Sequence, residues 1–252
     1  MRNVVDSKGK AARAFTLIEL LVVIAVIALL VTMLMPTLRM AKHLARRSIC
    51  AANTRSIATA LHVYAGDHDG WLVPSPGRWM NCFHTYYVLY MNKPPHSWVH
   101  FGVLYDKGYL SHPEIMYCPG QNHPFHRYPE AWDDDWARRC GYLYGLFSQP
   151  AGGQEPRAEI NLDEAPPSLG LAADVFTASA SGDPVPWAHR QTGLGVTTVF
   201  VDGHAEYIPV DPAIYDVFES TISQDAYYRD LFAWSVWKVL EGDPTLMNRY
   251  FF

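Results

Sequence analysis

Glu19 stands inside the apolar run "FTLIELLVVIAVIALLVTMLM" (residues 15–35), and four cysteines and eleven histidines are spread over the rest of the chain. Each group suggests a chemistry. A carboxylate in an apolar helix calls for a partner, or for a position near enough to the interface to reach water. Thiols and imidazoles suggest disulfides, metal ligation or acid–base work.

Cys50, Cys82, Cys118 and Cys140 show no paired CxxC spacing of the kind that frames a zinc site. In an oxidising compartment they allow two disulfides in three connectivities; otherwise they are free buried thiols. His84, His96, His100, His112, His123 and His126 invite a metal reading, yet no HExxH arrangement occurs. His96 and His100 have the i, i+4 spacing, but Pro94-Pro95 just before them disfavours a helix there. Dispersed surface and core histidines are therefore expected, with no metal and no cofactor. Asp67-His68-Asp69-Gly70 is a fragment of a calcium-loop pattern and reads as a turn closing a helix. His189 and Asp202 could form an acid–base pair. No G-x-S-x-G elbow or P-loop accompanies them, so strand and turn structure is the expected role and the chain is not expected to be an enzyme.

The elements that must position these residues begin with the apolar run. Its 21 residues carry one charge, and a helix of that length spans roughly 31 Å, the thickness of a bilayer core. A cleaved secretory signal would be shorter and end in small residues; this run ends in Met33-Leu34-Met35-Pro36. Basic residues flank both ends, Arg2, Lys8, Lys10 and Arg13 before it and Arg39, Lys42, Arg46, Arg47 and Arg55 after it. Charge bias alone leaves the orientation undecided. Pro36 should kink or locally melt the helix. Beyond it Leu38, Met40, Ala41, Leu44, Ala45, Ile49, Ala52, Ile57, Ala60, Leu61 and Tyr64 keep a roughly helical period with a charged opposite face. One long helix is expected from about Phe15 to about Gly66. The whole chain carries a formal charge of -5, so no broad basic surface points to nucleic acid.

The basic leader, a small residue and then Phe-Thr-Leu-Ile-Glu-Leu-Leu resemble the N-terminal signal of type IV pilins and type II secretion pseudopilins. The resemblance implies cleavage by prepilin peptidase between Ala14 and Phe15, and methylation of the new Phe15 amine. It implies that Glu19 pairs with the amine of a neighbouring subunit, and that Pro36 is the helix-breaking proline. Ala14 stands where the family commonly has glycine. "CAANTRSIATALHVYAGDHDGWLVP" (residues 50–74) resembles a subgroup abundant in Planctomycetes and their relatives, as does the run through Cys118-Pro119-Gly120. The resemblance places Cys118 at a core or disulfide position. That subgroup also has a His…Asp-Gly signature, matched here by His189 and Asp202-Gly203 with a longer gap of twelve residues.

The expected fold is α+β and pilin-like: a long N-terminal helix, transmembrane and then amphipathic, packed on a small antiparallel sheet with loop insertions. Residues 1–14 would be the leader, 15–36 the transmembrane and assembly helix, 37–66 its amphipathic continuation, 67–210 an extracytoplasmic domain and 211–252 an aromatic-rich helical extension. "FGVLYDKGYLSHPEIMYCPG" (101–120) reads as a short helix followed by a short strand. Val196 to Val201, the Asp202-Gly203 turn and His204 to Val210 read as a hairpin. The middle of the chain shows little periodicity, and Ala151 to Pro167 reads as a loop.

The implied function is structural: a subunit of a type II secretion or type IV pilus-like filament in the bacterial inner membrane, with the leader cytoplasmic and the C-terminal domain periplasmic. Its partners would be other pilin-like subunits, prepilin peptidase, the inner-membrane assembly platform and membrane lipid. The alternative is a membrane-tethered or filament-tip protein whose eight Trp and fifteen Tyr recognise carbohydrate or a secreted substrate.

Overall fold

The computed structural model describes residues 15–74, 88–91, 97–133, 137–144, 160–174, 188–189, 193, 195–211, 213–214, 236 and 242. Ala14 and the rest of the leader, Cys82, His84, His96 and nearly all of the 211–252 extension lie outside them. The chain divides into two compact units, Met1–Lys42 and His43–Phe252. One helix, α1 (Leu17–Gly66), contributes to both.

In the first unit α1 is apolar on every side as far as Pro36, apart from Glu19, and among the described residues nothing covers it. Leu17 is 86% exposed and Leu30 still 53%. A helix that is apolar all round needs lipid or other helices to cover it. α1 runs unbroken through Pro36. Proline donates no N–H, so one helix bond is lost there. The hydroxyls of Thr32 and Thr37 donate to the carbonyls of Leu29 and Leu34 at 2.7 and 2.8 Å, supplementing the ladder on either side.

In the second unit α1 buries one face. Cys50, Thr54, Ile57, Leu61 and Tyr64 recur at steps of three and four and are all buried, as one stripe of an amphipathic helix must be. The stripe packs on a four-stranded antiparallel sheet ordered β3-β4-β5-β6, made of β3 (Tyr142–Tyr144), β4 (Gly170–Asp174), β5 (Gly195–Phe200) and β6 (Ala205–Pro209). Polar side chains tie helix to sheet. Arg55 Nη2 donates to Ala205 O at 3.3 Å, and His62 Nε2 lies 2.8 Å from Val201 O. The Arg47 guanidinium sits 3.3 Å from the Tyr207 ring centroid.

The β5–β6 hairpin forms where the Val-Thr-Thr-Val run and Asp202-Gly203 place it, with Val199 opposite Ala205 and Gly195 opposite Pro209. Gly203 takes a φ of 84°, the left-handed conformation that glycine adopts without strain. A separate two-stranded sheet pairs β1 (Val88–Met91) with β2 (Ala137–Arg139). The 101–120 stretch departs from expectation in its second half. α2 (Phe101–Asp106) forms, but the expected strand is a 3-10 turn over Pro113–Met116. Pro113 explains this: its fixed φ suits the first helical position, and it has no N–H for a strand ladder.

α1 stops at Gly66, and residues 67–70 form the expected turn. Gly70 has a φ of 82°, and a Cβ there would meet Asn161 Oδ1 at 2.6 Å. The close approach lets Leu72 N–H donate to Ile160 O and Leu162 N–H to Gly70 O, at 2.9 and 2.8 Å.

Candidate functional site

At the N-terminus the first turn of α1 is closed by its own side chains. Glu19 N–H donates to Thr16 Oγ1 at 3.2 Å, while Thr16 N–H donates to Glu19 Oε2 at 2.8 Å. The Thr16 hydroxyl also donates to Glu19 Oε2, at 2.8 Å. This reciprocal pair is a capping box. It satisfies two amides that a helix start leaves without partners. Phe15, just before it, is 70% exposed. The Thr-x-x-Glu spacing was readable in the sequence as a cap, alongside the reading that looks only to a neighbouring subunit.

In the second unit, four chemically active side chains from distant segments meet. Cys50 comes from the buried stripe of α1, Cys118 from the Cys-Pro-Gly turn, Asp174 from the end of β4, and His189 from a short described segment before β5. Their donor atoms all lie within 4.8 Å of one another, and all four residues are buried. The Cys50 thiol donates to Asp174 Oδ1 at 2.7 Å. Cys118 Sγ lies 3.3 Å from His189 Nε2, and His189 Nε2 lies 3.5 Å from Asp174 Oδ2.

A surrounding layer holds these groups in place. The Tyr142 hydroxyl donates to Cys50 Sγ at 3.4 Å, Gly120 N–H to Cys118 Sγ at 3.4 Å, and Thr197 N–H to Asp174 Oδ2 at 2.9 Å. The sheet register explains two of these contacts, since Tyr142 is paired across to Asp174 and Ala173 to Thr198. Gly120 permits the approach of the imidazole: a Cβ there would lie 2.7 Å from His189 Cε1 and 2.7 Å from Ala188 O.

Burial dominates the electrostatics. It pushes the Cys50 thiol well up, with the Cys118 side chain and the charge of Asp174 adding to the rise. It also raises the Cys118 thiol and lowers His189, where Asp174 opposes the shift and Arg47, His43 and Arg46 reinforce it. Burial thus favours the neutral forms of the two thiols and of the imidazole.

Residues 9–35 match the family model of the prokaryotic N-terminal methylation motif. The chain carries this motif at its N-terminus, which is consistent with a type IV pilin-like protein. The motif and the apolar first half of α1 are together consistent with a single-pass membrane anchor. No curated protein and no solved structure matches the chain.

Elsewhere in the chain the structure redistributes the residues singled out in the sequence. His189 faces Asp174, not Asp202. Asp202 sits in the exposed hairpin turn and bonds instead to the His204 ring and, at 3.0 Å, to the His204 N–H. An Asp-Gly turn points its carboxylate to solvent, whereas the last residue of β4 is enclosed on every side. Cys50, Cys118 and Cys140 are free thiols. Cys140 Sγ donates to Tyr142 O at 2.9 Å, away from the four-residue group. His126 Nδ1 lies 2.7 Å from Cys140 O, and His123 accepts from Phe125 N–H. His100, with a φ of 48°, precedes the first residue of α2.

Among the described residues, several aromatic side chains pack against one another. Trp98 packs near Tyr105 and Trp132, with centroids 5.5 and 5.8 Å away. The Arg138 guanidinium lies 4.9 Å from the Trp132 centroid and 5.4 Å from that of Trp98.

Proposed function

We propose that this chain is a pseudopilin-type structural subunit. Prepilin peptidase cuts it between Ala14 and Phe15, and the Phe15 amine is methylated. The apolar half of α1 holds it in the inner membrane, leader inside and globular unit outside, until an assembly platform draws it into a type II secretion or type IV pilus-like filament. Its work there is structural, not catalytic.

One observation carries the reading: the methylation motif at residues 9–35 leads directly into a helix that is apolar all round, with a carboxylate held in its first turn. A plain anchor has no use for that carboxylate, which is costly in hydrocarbon. A packed bundle of subunits does. There Glu19 can meet the amine of a neighbour, and in low dielectric the pairing of opposite charges strongly favours the matching register. Lipid covers the exposed apolar face before assembly, and neighbouring subunits cover it afterwards.

The test is the N-terminal peptide of the protein isolated from native membranes, read by mass spectrometry. A peptide beginning at N-methylated Phe15 is expected. An intact Met1 start in cells that make the peptidase overturns the reading and leaves the segment as an anchor.

A further inference from the structure

We propose that Cys50, Cys118, Asp174 and His189 bind one zinc ion as a closed, structural site. The donor set points to this cation. Two thiolates, an imidazole and a carboxylate are the side chains that hold tetrahedral zinc. Thiolates disfavour magnesium and calcium, which take oxygen ligands.

The geometry is close to that of a filled site. Zinc bonds of about 2.0–2.3 Å place the corners of a tetrahedron roughly 3.3–3.8 Å apart. The Cys118–His189 and His189–Asp174 separations of 3.3 and 3.5 Å already fall in that range. The Cys50–Asp174 separation of 2.7 Å has only to open by a fraction of an ångström to reach it. Nε2 of His189 is the ring nitrogen directed at both Cys118 and Asp174.

Burial makes the site structural. The four side chains come from residues between 0% and 3% exposed, so no ligand position is open to solvent. A closed four-ligand shell holds the fold together, whereas a catalytic one keeps a place for water. Binding forms two Zn–S bonds, one Zn–N bond and one Zn–O bond, and each thiol gives up its proton to solvent. Zinc stays divalent throughout, so no oxidant or reductant is needed. Two thiolates and a carboxylate around zinc sum to one net negative charge, and Arg46 and Arg47 on α1 are the nearby cations that balance it. The Tyr142 hydroxyl and the Gly120 and Thr197 amides supply outer hydrogen bonds to three of the four ligands, as metal sites require. The ligands join α1, the Cys-Pro-Gly turn, β4 and the segment before β5, so one ion would pin the helix to the sheet.

The experiment uses the full chain, solubilised in detergent after expression with zinc in the medium. Metal content by elemental analysis should be about one zinc per chain. Replacing zinc by cobalt(II) should give thiolate-to-cobalt charge-transfer bands and the visible absorption of a tetrahedral ion. Asp174→Asn and Cys118→Ser should lose the metal, and Tyr142→Phe, which touches no metal, should weaken zinc binding by roughly 10–100-fold. If the ligand variants fail to fold, the metal content and cobalt spectrum of the unaltered chain decide alone. Intact mass under denaturing, non-reducing conditions covers the rival chemistry. A chain two hydrogens lighter from a Cys50–Cys118 disulfide and free of zinc overturns the proposal. So does a chain with both thiols free and no zinc.

Discussion

Gly120→Ala should unseat His189. The added Cβ would lie 2.7 Å from His189 Cε1, 2.8 Å from its Nδ1 and 2.7 Å from Ala188 O, whereas ordinary contact begins at 3.4 Å. The ring must therefore retreat by about 0.7 Å, and the carbonyl, being backbone, can yield only if the chain itself moves. His189 Nε2 sits 3.3 Å from Cys118 Sγ and 3.5 Å from Asp174 Oδ2, so a shift of that size stretches both contacts. Overpacking of a well-filled interior costs about 1–3 kcal/mol. With an m-value of about 2 kcal/mol/M, a loss of about 2 kcal/mol lowers the urea midpoint by roughly 1 M. The assay is urea unfolding of the full chain in detergent, followed by tryptophan fluorescence, beside Gly66→Ala as the control. Gly66 ends α1 with nothing within 4 Å of the added atom, so that control should hold or slightly raise the midpoint. If Gly120→Ala unfolds at the wild-type midpoint with the same slope, the close fit of glycine against imidazole is wrong, and with it the account of how His189 is placed.

Leu61→Ala, on the buried stripe of α1, should cost about 2–5 kcal/mol by opening a cavity between helix and sheet; the same urea assay reads it. Acid should destabilise the second unit through His126, whose pKa burial lowers from 6.5 to about 3. Between those values the unfolded chain binds a proton that the folded chain refuses, so this stability is intact above about pH 6.5 and is lost as the pH falls toward about 3. His126→Asn, whose amide can still reach Cys140 O, should flatten that part of the pH profile. Thr16→Ala removes the cap, a local loss of about 0.5–2 kcal/mol, yet keeps the charge of Glu19. Glu19→Gln keeps an acceptor for the cap and removes the charge. Under the proposed function, Glu19→Gln subunits stay out of the sheared filament fraction while Thr16→Ala subunits enter it; equal incorporation of both would remove charge pairing from assembly.

How much of this was legible depended on whether a residue's neighbours are close in sequence. α1 was legible from end to end, because an apolar run and then an apolar stripe each repeat over many turns. The β5–β6 hairpin was legible because β-branched residues lead into Asp-Gly. β1, β2 and β3 were not. They are three or four residues long, too short for alternation to register, and β3 is buried at every position, so inner and outer faces do not differ in polarity. β4 reads Gly-Leu-Ala-Ala-Asp and is buried throughout; its aspartate looks like a turn residue until the sheet encloses it. The four-residue site was invisible for the same reason. Cys50, Cys118, Asp174 and His189 belong to four separate segments, and no spacing links them. His189 was noticed only for its spacing to Asp202-Gly203, and nothing in the sequence linked it to Asp174.

Under the proposed function Glu19 carries two tasks that need not compete. The cap occupies Oε2, which accepts from both the N–H and the hydroxyl of Thr16. A carboxylate has a second oxygen with its own lone pairs, and among the described residues Oε1 has no hydrogen-bond partner. In a subunit waiting in the membrane, the cap reduces the cost of holding a carboxylate among apolar side chains, since two donors already solvate one of its oxygens. On docking, Oε1 can accept a neighbour's amine without breaking the cap, so assembly gains a charge pair while the first turn keeps its hydrogen bonds. The cap also fixes where Oε1 lies relative to the helix axis. The charge of Glu19 would decide whether a subunit docks at all, and the cap would only narrow the range of heights at which its oxygen meets the amine.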